Sequence, residues 1–273
     1  LIHADANNIM RLSFSFSLRH TGILILTSII LFACLGSLLG PDPAKQELSR
    51  FLASPQWSSP LGLDHLGRDM FARLAHATRL SLSMAVLSVL SAAITGTLIG
   101  CIAAWAGGWL ERFLTAFADA VLALPGLLLV LLFVAFAPGQ FWPLYIGLSL
   151  SLWVEYFRVV RITTHTLLAS PQVEASRLLG FNVVYVFRRH VLPLLLPRLL
   201  TLMCFGIATA ILAMSALGFI GVGIQPPTPE LGVMMIELLP YYQEAPWLIG
   251  SAMCVLFMTL LSLVCISSAK TSS

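Results

Sequence analysis

The residues in this chain that are equipped for chemistry gather in a few places. The most conspicuous is 165–197, where Ser170-Pro-Gln-Val-Glu174-Ala175-Ser176-Arg177 leads through Gly180 and Asn182 to Arg188-Arg189-His190-Val-Leu-Pro193. Ser170 stands where a helix N-cap is wanted, and Pro171 where no backbone N–H is needed. Gly180 tolerates the left-handed conformation that closes a helix, Asn182 can cap a second one, and Pro193 is expected to end or sharply kink it. Arg188, Arg189 and His190 then fall in a last turn, where positive charge suits exposed carbonyls. Two short helices, with small Ala175 and Ser176 on the first arm, suit insertion into a groove. An ordinary basic loop between membrane spans fits the same local pattern.

A second group is Leu61-Gly-Leu-Asp64-His-Leu-Gly67-Arg68-Asp69, continuing to Arg73 and Arg79. Asp64, Arg68 and Asp69 are spaced for a local ion-pair cluster. Exposed pairs contribute only ~0–1 kcal/mol, so the expectation is a cluster that shapes a loop, with direct substrate contact as the other reading. A third candidate is Asp119, an acid inside an apolar run six residues before Pro125. An acid within a span is a functional candidate. A structural hydrogen bond to a helix end or to the 165–197 loop is expected ahead of ion relay. Gln225-Pro226-Pro227-Thr-Pro229 is a stiff turn, because each proline fixes its own backbone angle. It suits a cap over an outer mouth, a contact for a docking protein, or a rigid connector.

Several chemistries are excluded. The six histidines (His3, His20, His65, His76, His165, His190) show neither H-x-x-x-H nor H-E-x-x-H spacing, so no metal site is expected. No G-x-x-x-x-G-K-[ST] occurs, and the only lysines are Lys45 and Lys270, so no P-loop cradles a nucleotide. No Ser/His/Asp signature stands out. The chain is expected to have no catalytic residues and not to be an enzyme by itself. Its five cysteines lie in apolar stretches without C-x-x-C spacing and read as small buried hydrophobes.

The elements that position these groups are apolar. Of 273 residues, 58% are hydrophobic and 10% charged, against about 25% charged in a soluble domain. With a mean hydropathy of +0.93, this is an integral membrane protein. The net charge of +3 is too small to argue for nucleic acid. Six apolar runs, at 21–40, 80–105, 113–137, 142–162, 198–223 and 247–267, approach or exceed the ~20 residues that span a bilayer. The first is read as an uncleaved span, since it is long and no small-x-small cleavage site stands at its end. Residues 1–60 then hold the first span and an outer loop, and 61–273 the remaining five spans with the loop at 165–197. Six spans place both termini on one side. With the N-terminus inside, ten basic residues are cytoplasmic (Arg11, Arg19, Arg112, Arg158, Arg161, Arg177, Arg188, Arg189, Arg198, Lys270) and five are outside (Lys45, Arg50, Arg68, Arg73, Arg79). That bias favours cytoplasmic termini and a cytoplasmic 165–197 loop.

Glu174-Ala175-Ser176, Gly180 beyond them and Leu192-Pro193 resemble the EAA motif of ABC importer permeases, which reads Glu-Ala-Ala, three residues, Gly, nine residues, Ile-x-Leu-Pro. The spacing matches throughout. Ser176 replaces the second Ala, and His190 replaces Ile. The 61–69 stretch looks like the Gly-Thr-Asp-x-x-Gly-Arg-Asp signature of the dipeptide/oligopeptide/nickel branch, with Leu63 in place of Thr. Ala216 to Gly232 is similar to that branch's fifth-span exit and outer loop. The chain is identified as a member of this branch, as its C-type subunit, over about Leu61 to Leu263.

The resemblance implies an all-α type I ABC importer permease in a bacterial inner membrane. It implies a heterodimer with a homologous permease, two ATP-binding subunits docked on the coupling loop (Glu174, Ala175, Ser176, Gly180, His190, Pro193), an extracytoplasmic solute-binding protein, and membrane lipid around the spans. ATP and Mg would sit on the partner subunits, with no cofactor on this chain. The implied cargo is nickel, a metal chelate or a di- or oligopeptide, with Asp64 to Asp69 and Ala77 to Leu82 leaning slightly to the metal side. The family commonly places an Arg three residues before Asp119; here that position is Ala116, so the supposed partner is missing. The branch's usual Gly-Asp-x-Leu-Arg-Asp-x-Leu-Asp-Pro tail is also missing, and a shortened or altered C-terminus is expected to lack that inner-face contact. The rival is a secondary transporter driven by an ion gradient, which would want paired intramembrane carboxylates. A third reading, an intramembrane enzyme, would want a nucleophile–base or metal pair inside the spans.

Overall fold

A bilayer offers no water to satisfy backbone polar groups, so an apolar chain of this kind closes its hydrogen bonds within helices. The computed structural model describes residues 2–268, with side chains for 18–267. Lys270 and the side chain of Arg11, both used in the charge count, lie outside those described. The long helices are α1 (Ile2–Leu39), α2 (Met70–Ala106), α3 (Gly108–Leu122), α4 (Gly126–Phe136) and α5 (Phe141–Leu168). The short α6 (Pro171–Leu178) and α7 (Val183–Val186) follow, then α8 (Leu192–Phe219), α9 (Leu231–Leu238) and α10 (Pro246–Ser268). Among the described residues there is no β-strand, only isolated bridges.

The centre is built where α2, α5 and α8 approach closely, and small residues permit it. Gly96 and Gly100, one turn apart on α2, face α5: a Cβ on Gly96 would stand 2.6 Å from the Trp153 carbonyl, and one on Gly100 2.9 Å from that of Phe157. Spacing of this kind lets two membrane helices pack backbone to backbone. On the far side of α5 the buried Tyr156 reaches over Gly206, and its hydroxyl donates to the Leu202 carbonyl of α8 at 3.3 Å. Helices α1 and α10 pair beside this core, with Gly22 set against Cys265.

Four helical stretches are long and apolar enough to cross a membrane: Leu18–Leu39, Met70–Ala106, Val183–Phe219 and Pro246–Ser267. The run expected at 113–137 is not one straight helix. It is α3 and α4, bent by 80°, and the pair makes a fifth span if counted as one. Pro125 lacks an N–H and restricts Leu124 before it, which breaks the ladder there. The run expected at 142–162 forms α5, whose 28 residues reach about 42 Å. It carries Glu155, Arg158 and Arg161 and falls outside the apolar class. Helix α2 starts ten residues before the expected run, so Arg73 and Arg79 belong to its first turns and not to a loop.

The second arm of the 165–197 loop corrects another expectation. Pro193 neither ends nor sharply kinks the helix. A π-helical turn at Phe187–Val191 joins α7 to α8, and Val183–Phe219 runs on as a single 37-residue stretch. The wider turn makes room for the proline ring against the preceding carbonyl. Arg188, Arg189 and His190 therefore lie inside a continuous helix, not at its C-terminal end.

Candidate functional site

The loop at 165–197 folds as a helix, a tight reversal and a second helix. Pro171 occupies the first turn of α6, but the Ser170 hydroxyl does not cap it, donating instead to the Leu167 carbonyl at 2.6 Å. Gly180 closes α6 at φ +80°, with the Phe181 N–H bonded back to the Ser176 carbonyl at 3.1 Å. Asn182 caps the second arm, its side-chain oxygen accepting from the Tyr185 N–H at 2.9 Å. Glu174 and Ala175 are exposed, and so are Leu178, Leu179, Phe181, Val183 and Val184 around the reversal. Ser176 faces inward, where its Oγ lies 2.9 Å from Nε2 of the half-buried His190. Pro193 is exposed on α8.

At the opposite end of the helices the 61–69 segment is not the exposed cluster expected. Asp64 and Arg68 are buried, and two residues from other elements complete the group: Arg73 in the first turn of α2, also buried, and Glu237 on α9. Asp64 Oδ2 accepts from Arg68 Nε at 2.7 Å and from Arg73 Nη1. Glu237 Oε2 accepts from Arg73 Nη2 at 2.6 Å and Arg68 Nη2 at 3.3 Å. Asp64 Oδ1 takes the backbone N–H groups of Leu66 and Arg68 at 2.8 and 2.9 Å. Two carboxylates and two guanidiniums thus close a neutral ring. Burial pushes the Asp64 carboxyl up, but the guanidiniums of Arg73 and Arg68 and the two backbone donors outweigh it and hold the group below the usual carboxylate value. Asp69 stays outside the ring and caps α2, accepting from the Ala72 N–H at 2.9 Å. Gly67 turns the loop at φ +69°, where a Cβ would run into the Glu47 carbonyl.

Sequence reasoning missed Glu237 and Glu230. Glu230 is buried and caps α9, its Oε2 accepting from Gly232 and Val233 N–H at 2.8 and 3.0 Å. Burial drives its pKa to about 7 against the pull of those donors. Its position just before a short apolar run was a weak signal at most, since the usual N-cap residues are Ser, Thr, Asp and Asn. Nothing local marked Glu237. Gln225, Pro226 and Pro227 are exposed and stand apart from the ring. The Gln225 amide donates to the Gly221 carbonyl at 2.8 Å, and the segment pairs with the α4–α5 turn through the Gly139–Ile224 bridge.

Between the two ends, Asp119 does not bond to a helix end or to the 165–197 loop. It has a basic partner after all, on another helix: Oδ1 accepts from Arg158 Nη2 of α5 at 2.6 Å, both side chains about half exposed (55% and 46%). Arg161 on α5 pairs with Glu111 of α3 at 2.8 Å, so two ion pairs join α3 to α5. Glu155 on α5 is a second acid within an apolar run that sequence reasoning passed over, although its position in the fourth such run was signal enough.

Residues 96–271 match the family described as binding-protein-dependent transport system inner membrane component. The dipeptide transport system permease protein DppC of Haemophilus influenzae is 32% identical over 242 residues, covering 85% of this chain and 82% of that protein. The di/tripeptide transport system permease protein DppC of Pseudomonas aeruginosa is 33% identical over 236 residues, covering 84% and 78%. The glutathione transport system permease protein GsiD of Pectobacterium atrosepticum is 30% identical over 216 residues, covering 79% and 72%. Among solved structures, an inward-facing form of the MetNI methionine ABC transporter superposes with a TM-score of 0.60 at 18% identity. That match covers 75% of this chain and 98% of the other, and it is a likeness of fold.

Proposed function

This chain belongs to the family of binding-protein-dependent transport system inner membrane components, and from that premise we propose that it forms one membrane half of an ATP-driven importer of short peptides. A multi-pass permease of this class works by alternating access. The other half would be a homologous permease, with two ATP-binding subunits on the inner face and a solute-binding protein delivering cargo outside. Nucleotide and Mg would be held by the ATP-binding subunits, and no cofactor by this chain. In this reading both termini and the 165–197 loop are cytoplasmic, and the Asp64–Arg68–Arg73–Glu237 ring faces outward.

The observation that carries the coupling role is mechanical. Helix α6 presents Glu174, Ala175, Leu178 and Leu179 outside the bundle, and the chain from Val183 to Phe219 is one unbroken helical stretch. An exposed apolar patch of this kind marks a surface that another protein covers. A displacement of the loop is carried along a stiff rod to Leu202 and Gly206, where α8 meets Tyr156 at the core. ATP-driven closure of the subunits below thereby biases the equilibrium between inward- and outward-open states. Peptide cargo is favoured over nickel because the relatives above are named for dipeptides, di- and tripeptides and glutathione.

The test is uptake of labelled di-alanine by cells carrying or lacking this chain, with and without the companion ATP-binding subunit. The expected result is uptake that requires both. Uptake that survives loss of the ATP-binding subunit and collapses with an ionophore would replace this reading with an ion-gradient transporter. Unchanged peptide uptake beside lowered cellular nickel would move the cargo to metal.

A further inference from the structure

Glu155 is the one exposed side chain between Leu152 and Phe157, in the helix at the centre of the molecule. It is the fifteenth of the 28 residues of α5, about 20 Å from either end at 1.5 Å per residue, midway along a helix that the proposed topology runs across the membrane. Among the described residues it makes no hydrogen bond and no ion pair. The nearby charges on this side of α5 are already matched, Arg158 with Asp119 and Arg161 with Glu111, so the carboxylate is left uncompensated. A lone charge at this depth is costly against lipid and is kept where it faces a watered cavity or meets a mobile counter-ion.

Such a cavity is present. Glu155, Ser151 one turn away and Thr209 of α8 are the polar members of an otherwise apolar lining enclosing about 310 Å3, at the small end of the range for ligand pockets. One wall is the break between α3 and α4, and Gly126 at that break is bare enough for the Ser151 hydroxyl, which a Cβ there would meet at 2.6 Å. Broken helices at membrane depth are tolerated where they line a cavity.

We propose that Glu155 is a cargo subsite at half depth on the permeation path, where its carboxylate receives the ammonium group of a passing short peptide. This rests on the peptide reading of the cargo. A single carboxylate with two hydroxyls is a weak site, as passage requires: favourable enough to admit the cation, loose enough to release it.

Uptake of Ala-Lys, Ala-Ala and Ala-Glu, each at saturating concentration, is compared in cells whose complete transport system carries the wild-type chain, Glu155→Gln or Glu155→Asp. Wild type is expected to transport the three in falling order of positive charge. Glu155→Gln is expected to flatten that order and lower the Ala-Lys rate about tenfold, the factor for ~1.4 kcal/mol in a barrier. Glu155→Asp is expected to restore it, with normal recovery of the assembled complex throughout. An unchanged charge order in Glu155→Gln overturns the proposal. So does an equal loss for all three peptides with poor complex recovery, which would make Glu155 an assembly contact with the partner permease. Failure of the wild type to transport any peptide overturns the cargo reading itself, and this subsite with it.

Discussion

Ser176 and His190, the two positions at which the coupling-loop pattern is departed from, are bonded to each other across 2.9 Å between Oγ and Nε2. A small apolar residue facing an isoleucine has here become a hydroxyl facing an imidazole. The bond ties the first arm of the loop to the rod that continues into α8. Ser176→Ala removes a partner from a half-buried ring and is expected to cost about 0.5–1.5 kcal/mol. Combining it with His190→Ile is expected to restore stability toward wild type. Thermal unfolding of the single and double variants in detergent measures the coupling. Strict additivity of the two changes would show that the contact contributes nothing.

The buried ring gives a larger effect. Asp64→Ala leaves Arg68 and Arg73 facing each other with only Glu237 between them, and an uncompensated buried charge costs about 3–5 kcal/mol. A fall in melting temperature and in membrane levels is expected. Substitution at the exposed Lys45–Glu47 pair, tested alongside, should change little. Equal behaviour of the two would contradict the burial of the ring.

Stability should also depend on pH in two opposite ways. The Glu230 carboxyl titrates at about 7 in the folded chain, above its ordinary 4.5. The folded state therefore holds the proton more tightly, and the stability this adds is complete below 4.5 and lost as pH rises through 7. Asp64 has the reverse sign: its contribution is present above 3.8 and lost as pH falls through its lowered folded value. Melting temperature measured from pH 5 to 8 should decline by a component that Glu230→Gln abolishes, since Gln keeps an acceptor for the α9 cap.

Transport should fail when the loop tip is altered while the spans are not. A Cβ at Gly180 meets nothing within 4 Å, so Gly180→Val suffers through its φ of +80° alone, at a cost of about 1 kcal/mol or more. Ala175→Trp places bulk on the exposed face of α6 and should hold the ATP-binding subunit away. Both variants are expected at normal membrane levels without substrate-stimulated transport, measured by vesicle uptake and by pull-down. Full transport by both would reduce the loop to a solvated connector.

Orientation is tested by labelling. In a cysteine-free background, Trp57→Cys on the outer loop is expected to react with an impermeant maleimide on intact cells. Tyr185→Cys in the coupling loop should react only after permeabilisation. Both side chains are exposed, so reaction of both from one side refutes the proposed topology.

Class and family were legible in the sequence because they rest on local properties. Composition alone requires a membrane protein, apolar runs mark helices, and the positions of Pro171, Gly180 and Asn182 encode a helix reversal through backbone preferences that neighbours do not override. What sequence could not decide was how charges pair, since a carboxylate's partner is set by which helices meet. Asp119 was read against position 116, three residues away on its own helix, and its guanidinium came from Arg158, brought across by the packing of α3 on α5. Asp64 was read with Arg68 and Asp69, its neighbours in the chain; it does pair with Arg68, but Asp69 caps α2 and the ring is completed by Arg73 and Glu237, 9 and 173 residues away by number. The break at Pro125 was visible as a residue type, but the 80° angle it makes and the cavity it walls with α5 and α8 were not. Local preference determines where a helix starts and stops. Only close packing in three dimensions determines which charge is buried, which is neutralised, and which, like Glu155, is left open.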